Sequence, residues 1–209
     1  RAAAGVETAR DEAGAGAMRL SGKVMWKEGM FLRPHHFQQQ DRRAEAALAA
    51  RIAAVAPFHW GFTRLTIDAG KLKAGQVGLL ECAGALKDGT PFSLPDDTTE
   101  IPAIPAPPQA RDLMVWLEAP QAGPGVALGA DEAPQAEWGV AGEAPANRSS
   151  ARYAMRPEKT PDLLRDGEAR ESVEFGRLNL SLATGGPRPG FDQLPVARIR
   201  EVNNGQVAL

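Results

Sequence analysis

Only one stretch of this 209-residue chain keeps a helical period, and that limits the folds open to it. Phe37, Ala44, Leu48, Ile52 and Val55 recur at steps of seven, four, four and three, forming one apolar stripe. Gln38, Gln39, Arg42, Arg43 and Glu45 face the other way, and the periodicity leaves open which face packs on the rest of the chain. Pro34 suits a first helical turn, where its missing N–H would have no partner anyway. Pro57 stops the run. Every other ordered segment must therefore be a strand or a loop.

The strand signals are short and closely punctuated. An alternation over 19–29 predicts one strand before the helix, ended by Gly29. "FTRLTID" follows the helix, and Ala69-Gly70 turns the chain. "VGLLECAGAL" runs into Asp88-Gly89, a two-residue hairpin signal, and "PFSLP" returns as an edge strand between prolines. "IPAIPAPP" reads as a rigid extended connector. "RDLMVWLEAP" is a nearly continuous apolar run, as a central strand requires. From Ala119 to Arg148, 18 of 30 residues are Ala, Gly or Pro. That window predicts a long loop with a short strand near Trp138. "RYAMRP" and "SVEFGRLNLSL" resume the alternation, with a bulge expected at Gly176. Asn203-Asn204-Gly205 marks a second hairpin. Many short strands without a repeating βαβ pattern predict a mostly β chain, an antiparallel sandwich with one N-terminal amphipathic helix. Residues 1–17 read as a tag-derived or disordered leader, and 18–209 as one β-sandwich domain. A last strand begun at the final residues suggests a fragment of a longer protein.

Bulk properties exclude several functions. A net charge of -2 gives no basic surface for nucleic acid. No apolar run reaches the roughly 18 residues that a membrane-inserted helix needs. The single cysteine, Cys82, excludes an internal disulfide framework and sits where a small buried apolar residue belongs.

The segment Trp26 to Arg43, "WKEGMFLRPHHFQQQDRR", concentrates the remaining candidates. Glu28, His35, His36 and His59 could serve a metal-dependent enzyme or a carbohydrate-binding module on a β-sandwich. Adjacent histidines on a helix point about 100° apart, however, and the i, i+4 spacing of a helical zinc pair is absent. No nucleophile elbow, phosphate loop or dinucleotide fingerprint occurs. Nothing in the sequence asks for a cofactor. The same segment has the aromatic, amide and imidazole composition of a protein interface. Trp26, Glu28, Met30, Phe31, Leu32, Pro34, His35, His36, Phe37, Gln38, Gln39 and Asp41 are thus expected to hold a partner. Within that set the aromatics are expected to anchor the fold, and the imidazoles and amides to grip the partner. Gly29, Asp88, Gly89, Asn204 and Gly205 are expected to serve turns.

"VMWKEGMFLRPHHFQQQDRR" resembles the opening motif of the TssK (ImpJ/VasE) family of type VI secretion baseplate subunits. "FHWGFTRLTIDAGKLKAGQVGLLECAGALKDGTPFSLPDD" is similar to that family's next block, and "FGRLNLSLATG" and "LPVARIRE" to its later strands. Arg43 departs from a common tyrosine, and Lys87 from a common proline. The resemblance implies the N-terminal β-sandwich shoulder, similar to phage receptor-binding-protein shoulders, without the helical neck and C-terminal head. It implies a non-enzymatic role: homotrimers of the full-length protein whose shoulder attaches to the wedge proteins TssG and TssF. The absent head would reach the membrane-complex proteins TssL and TssM. The setting it implies is the bacterial cytoplasm, at a baseplate docked on the inner membrane.

Overall fold

The computed structural model describes residues 22–96, 98, 101–123, 127–131, 151–162, 164 and 170–209. The leader 1–17 and the strand expected near Trp138 lie outside them. The chain divides into two units, one holding the residues up to Gly61 with Ala85–Pro91, the other holding Phe62–Gly84 with Phe92–Leu209.

The first unit is built on one helix, Pro34–Val55. Arg33 before it is extended (φ -130°, ψ 153°), as the residue preceding a proline must be. At the other end Ala56, itself before Pro57, leaves the helix after its N–H bonds the Ile52 carbonyl at 2.8 Å. The strand expected before the helix is not formed. Residues 22–27 are irregular, and Glu28-Gly29 turns the chain with Gly29 at φ 74°. A strand needs a neighbour for its backbone groups, and no described strand pairs with this segment. Its side chains are drawn to the helix instead.

The helix buries its small residues. Ala46 is buried, and Ala47, Ala49 and Arg43 beside it are half-buried, while Phe37, Leu48, Ile52 and Val55 are exposed on the opposite side. The tight turn around Gly89 explains why small residues line the inner face. A Cβ at Gly89 would meet the Ala49 Cβ at 3.3 Å and His59 Nε2 at 3.6 Å. On the same turn the Lys87 ammonium lies 5.5 Å from the Trp60 ring centroid.

The turn differs in type from the expected two-residue hairpin. The Leu86 N–H bonds the Thr90 carbonyl, the Gly89 N–H bonds the Leu86 carbonyl, and only Gly89 has positive φ, at 89°. That is a three-residue loop closed by a left-handed glycine. Asp88 Oδ1 accepts from the Thr90 N–H at 2.9 Å, which is what an Asx turn asks of aspartate.

The second unit is mostly β and mostly antiparallel. β1 (Gly61–Ile67), β3 (Leu79–Ala85) and β4 (Pro91–Leu94) form one sheet, with β4 on an edge as its prolines require. Ala69–Lys73 is a one-turn helix where a simple turn was expected; Asp68 caps it by accepting from the Gly70 and Lys71 N–H groups. The "IPAIPAPP" connector is partly a strand. β5 (Ile104–Pro105) pairs with β2 (Gln76–Val77), because Ile101 and Ile104 are buried and their backbone needs partners.

The core sheet has the order β10-β6-β11-β12, built from β6 (Arg111–Pro120), β10 (Ser181–Thr184), β11 (Phe191–Asn203) and β12 (Gln206–Ala208). β6 is interior, as its apolar run demanded. Val115, Leu117, Leu182, Leu194 and Ile199 are fully buried along it. Asn204 (φ 51°) and Gly205 (φ 75°) close the β11–β12 hairpin between the paired Asn203 and Gln206, and both left-handed residues fit the expected Asn-Gly turn. Gly75 approaches this turn so closely that a Cβ would meet the Gly205 carbonyl oxygen at 2.7 Å.

A further sheet orders β7 (Gly129–Asp131), β8 (Tyr153–Pro161) and β9 (Arg170–Leu178), with β7 parallel to β8. The bulge expected at Gly176 is absent, since β8 and β9 pair without interruption from Tyr153↔Leu178 to Pro161↔Arg170. Gly176 has a different cause. A Cβ there would meet Tyr153 Cβ at 3.1 Å, so glycine makes room for the tyrosine. A register shift does occur in the pairing of β11 with β6, between Pro195 and Ala197.

Candidate partner-docking surface

The segment Trp26 to Asp41 folds back on the first turns of the helix. The Trp26 indole N–H donates to Gln40 Oε1 at 3.0 Å, and its ring tilts against His36 and Phe37 at centroid distances of 6.0 and 6.1 Å. His36 is engaged in a second way. Its Nδ1 accepts from the Arg33 N–H at 3.1 Å, while the His36 N–H bonds the Arg33 carbonyl at 3.0 Å. The imidazole thus takes the place of the Glu or Gln that reaches back in a capping box. The Arg33 guanidinium lies 6.0 Å from the Phe31 ring centroid.

This geometry redistributes the roles expected within the segment. Phe31 (78 % exposed), Leu32 and Phe37 face solvent, and Trp26 is also exposed. His36 and Gln40 are held by the fold. Glu28, Pro34, His35, Gln38, Gln39 and Asp41 are exposed, and Met30 is half-buried. The aromatics Phe31 and Phe37 are therefore surface, and one of the imidazoles is structural. The exposed apolar path continues along the outer helix stripe through Leu48, Ile52 and Val55, and Phe58 beyond the helix is also exposed.

Glu28, His35, His36 and His59 do not converge. His59 Nδ1 is within 3.0 Å of the Ala56 carbonyl oxygen, and His36 Nδ1 is occupied by the helix cap. Among the described residues no three His, Cys, Asp or Glu side chains lie together as metal ligands would. Cys82 is fully buried.

The second unit holds polar chemistry that the sequence did not signal. Ser181, Glu118 and Gln193 sit opposite one another on β10, β6 and β11. Gln193 Nε2 donates to Glu118 Oε2 at 3.1 Å, and Arg188 from the β10–β11 loop pairs with Glu118 Oε1. Glu118 is 1 % exposed. Nearby, the buried Arg152 donates to the Pro120 carbonyl at 2.7 Å and pairs with Asp192 at 3.3 Å. The Arg188 guanidinium also stacks 4.2 Å from the Phe191 ring centroid. This network binds the loop Gly185–Gly190 to the core sheet. In the sequence Glu118 ends an apolar run and Arg188 lies between prolines 70 residues away, so only the three-strand register brings them together.

Comparison with known proteins gives one answer. The model of the family described as "Bacterial Type VI secretion, VC_A0110, EvfL, ImpJ, VasE" matches residues 36–209. The type VI secretion system baseplate component TssK1 of Pseudomonas aeruginosa is 33 % identical over 187 residues, covering 88 % of this chain and 39 % of that protein. The chain thus spans well under half the length of this curated relative. A crystal structure of TssK superimposes with a TM-score of 0.77 at 28 % identity, over 90 % of this chain and 40 % of that one. A chain of a type VI secretion system TssK-TssF-TssG baseplate subcomplex shares the fold at a TM-score of 0.71 and 19 % identity, over 90 % of this chain and 59 % of that one. Among the described residues no helix is long and apolar enough to cross a membrane. The chain belongs to the bacterial type VI secretion ImpJ/VasE family, the family of TssK.

Proposed function

We propose that this chain is the shoulder region of a TssK-type baseplate subunit and acts without catalysis, as a docking piece. The single observation that carries the reading is the exposure of Phe31, Leu32 and Phe37 on a helix entry held rigid from within. Preformed apolar groups of this kind lose little ordering entropy on association. A relative of this fold is named in a TssK-TssF-TssG subcomplex, which makes the TssG and TssF wedge proteins the partners of choice.

In the full-length protein the shoulder docks on the wedge, and homotrimerisation multiplies each weak contact through effective concentration. The head reaches the membrane complex TssL and TssM. The working site is the bacterial cytoplasm, at the baseplate docked on the inner membrane. The docking set is Trp26, Glu28, Met30, Phe31, Leu32, Pro34, His35, His36, Phe37, Gln38, Gln39 and Asp41, with Trp26 and His36 acting by positioning the others.

The test is a pull-down of TssG by the Phe31→Ala/Phe37→Ala/Gln38→Ala variant. His36 is left in place so that the helix cap is intact. Loss of TssG from a variant that melts like the parent is the expected result. Full retention of TssG by that variant contradicts the site.

A further inference from the structure

The exposed apolar path does not stop at the docking set. Ala46 is the buried residue of the long helix, and every residue from Ala50 to Val55 is exposed. Leu48 is 59 % exposed, Val55 84 % and Phe58 85 %. A helix ordinarily draws its stability from packing an apolar face, and here that face stands in water. At 1.5 Å per residue the stripe from Phe37 to Val55 runs about 27 Å.

Charge singles out what fits this surface. Residues 22–43 hold Lys23, Lys27, Arg33, Arg42 and Arg43 against Glu28 and Asp41, an excess of three positive charges. The whole chain has a net charge of -2. In the described residues of the second unit, twelve Lys and Arg face twelve Asp and Glu. The basic excess is therefore local to the helix entry. Lys27 adjoins Trp26, and the Arg33 guanidinium lies 6.0 Å from the Phe31 ring centroid. Arg51, three residues after Leu48 and four before Val55, borders the stripe. Among the described residues Lys27, Arg33 and Arg51 have no carboxylate partner.

An anionic membrane also suits apolar groups beside cations. Asp41 argues against it. Four residues after Phe37 and seven before Leu48, it lies on the stripe, where insertion would bury a carboxylate in lipid. A protein segment can supply a partner for Asp41.

We propose that the outer helix stripe, through Leu48, Ile52, Val55 and Phe58, takes a partner segment that is apolar on one side and acidic beside it. Its carboxylates face Lys27, Arg33 and Arg51. The inference rests on the docking role proposed above and extends it by giving the partner's chemistry. Apolar contact supplies the affinity, and the charges orient the segment and speed its encounter.

Binding of the TssF–TssG complex to the whole 209-residue chain tests this. The dissociation constant should rise about fivefold between about 0.05 and 0.5 M salt, because charge pairs across the interface are screened. Purely apolar docking would be indifferent to salt or strengthened by it. Lys27→Glu/Arg51→Gln, at two exposed positions outside the docking set, should weaken binding about tenfold at the lower salt and less at the higher. Leu48→Gln/Ile52→Gln should weaken it about tenfold at both while melting like the parent. Hydrogen exchange should reveal a TssG or TssF segment protected by the parent but not by that variant, with more Asp and Glu than Lys and Arg.

Salt-indifferent binding, or a protected segment with a basic excess, overturns the inference and leaves docking on Phe31 and Phe37 standing. So does full binding by Leu48→Gln/Ile52→Gln where the Phe31→Ala/Phe37→Ala/Gln38→Ala variant has lost it. Full binding by every variant overturns both readings. Capture of the chain by phosphatidylserine vesicles, abolished by Leu48→Gln/Ile52→Gln, assigns the stripe to a membrane and also overturns the inference.

Discussion

The long helix and the core sheet use their apolar residues in opposite ways. In the sheet, Leu117, Leu182, Leu194 and Ile199 are fully buried, and even a charged side chain, Glu118, is enclosed and paired. In the helix the buried residue is an alanine, and the large side chains Phe37, Leu48, Ile52 and Val55 stand in solvent. The sheet is built to hold itself. The helix keeps its large apolar side chains in solvent, which is the surface the proposed docking role uses.

Substitutions should separate these two regimes, and the largest effect belongs to the sheet. Leu117→Ala removes a fully buried side chain between β10 and β11 and should cost about 3 kcal/mol in chemical denaturation. Arg188→Ala should cost about 2 kcal/mol by leaving the Glu118 carboxylate buried beside Gln193 and Ser181 alone; the exposure of Arg188 keeps this below the loss for a fully buried pair. A destabilisation as small as that of a surface change would show that Glu118 is rehydrated in the folded state.

In the helix the effects shrink. His36→Ala should cost about 1 kcal/mol by removing the acceptor for the Arg33 N–H, read as a lower midpoint in thermal melting. Leu48→Gln should change stability by less than about 0.5 kcal/mol, since the side chain is exposed and both residues favour helices. A loss near that of Leu117→Ala would mean that the outer stripe is core after all, and the contrast between the regions would fail.

Much of the fold was legible in the sequence. The helix from Pro34 to Val55 was bounded by two prolines, β6 by its apolar run, and the Asn204-Gly205 hairpin by residues that accept positive φ. Local signals failed where a distant partner decides the outcome. The alternation before the helix found no strand to pair with, and Trp26 joined the helix instead. The phase break at Gly176 was a place for the Tyr153 ring, which nothing near Gly176 in the chain announces. "IPAIPAPP" became partly a strand because β2 was available to pair with it.

The candidate site was legible as a segment but not as a set of roles. Composition singled out Trp26 to Asp41. It could not tell that the His36 imidazole closes a helix cap, or that Phe31 and Phe37 point outward. Those assignments depend on the chain reversing at Glu28-Gly29, a turn whose consequences emerge only in three dimensions.

Side-chain radical footprinting of the protein, free and bound to TssF and TssG, tests the central claim most directly. The account predicts that Phe31, Leu32 and Phe37 lose most of their reactivity in the complex while the already buried core residues do not change. Unaltered reactivity at those three residues, with protection appearing elsewhere, would contradict it.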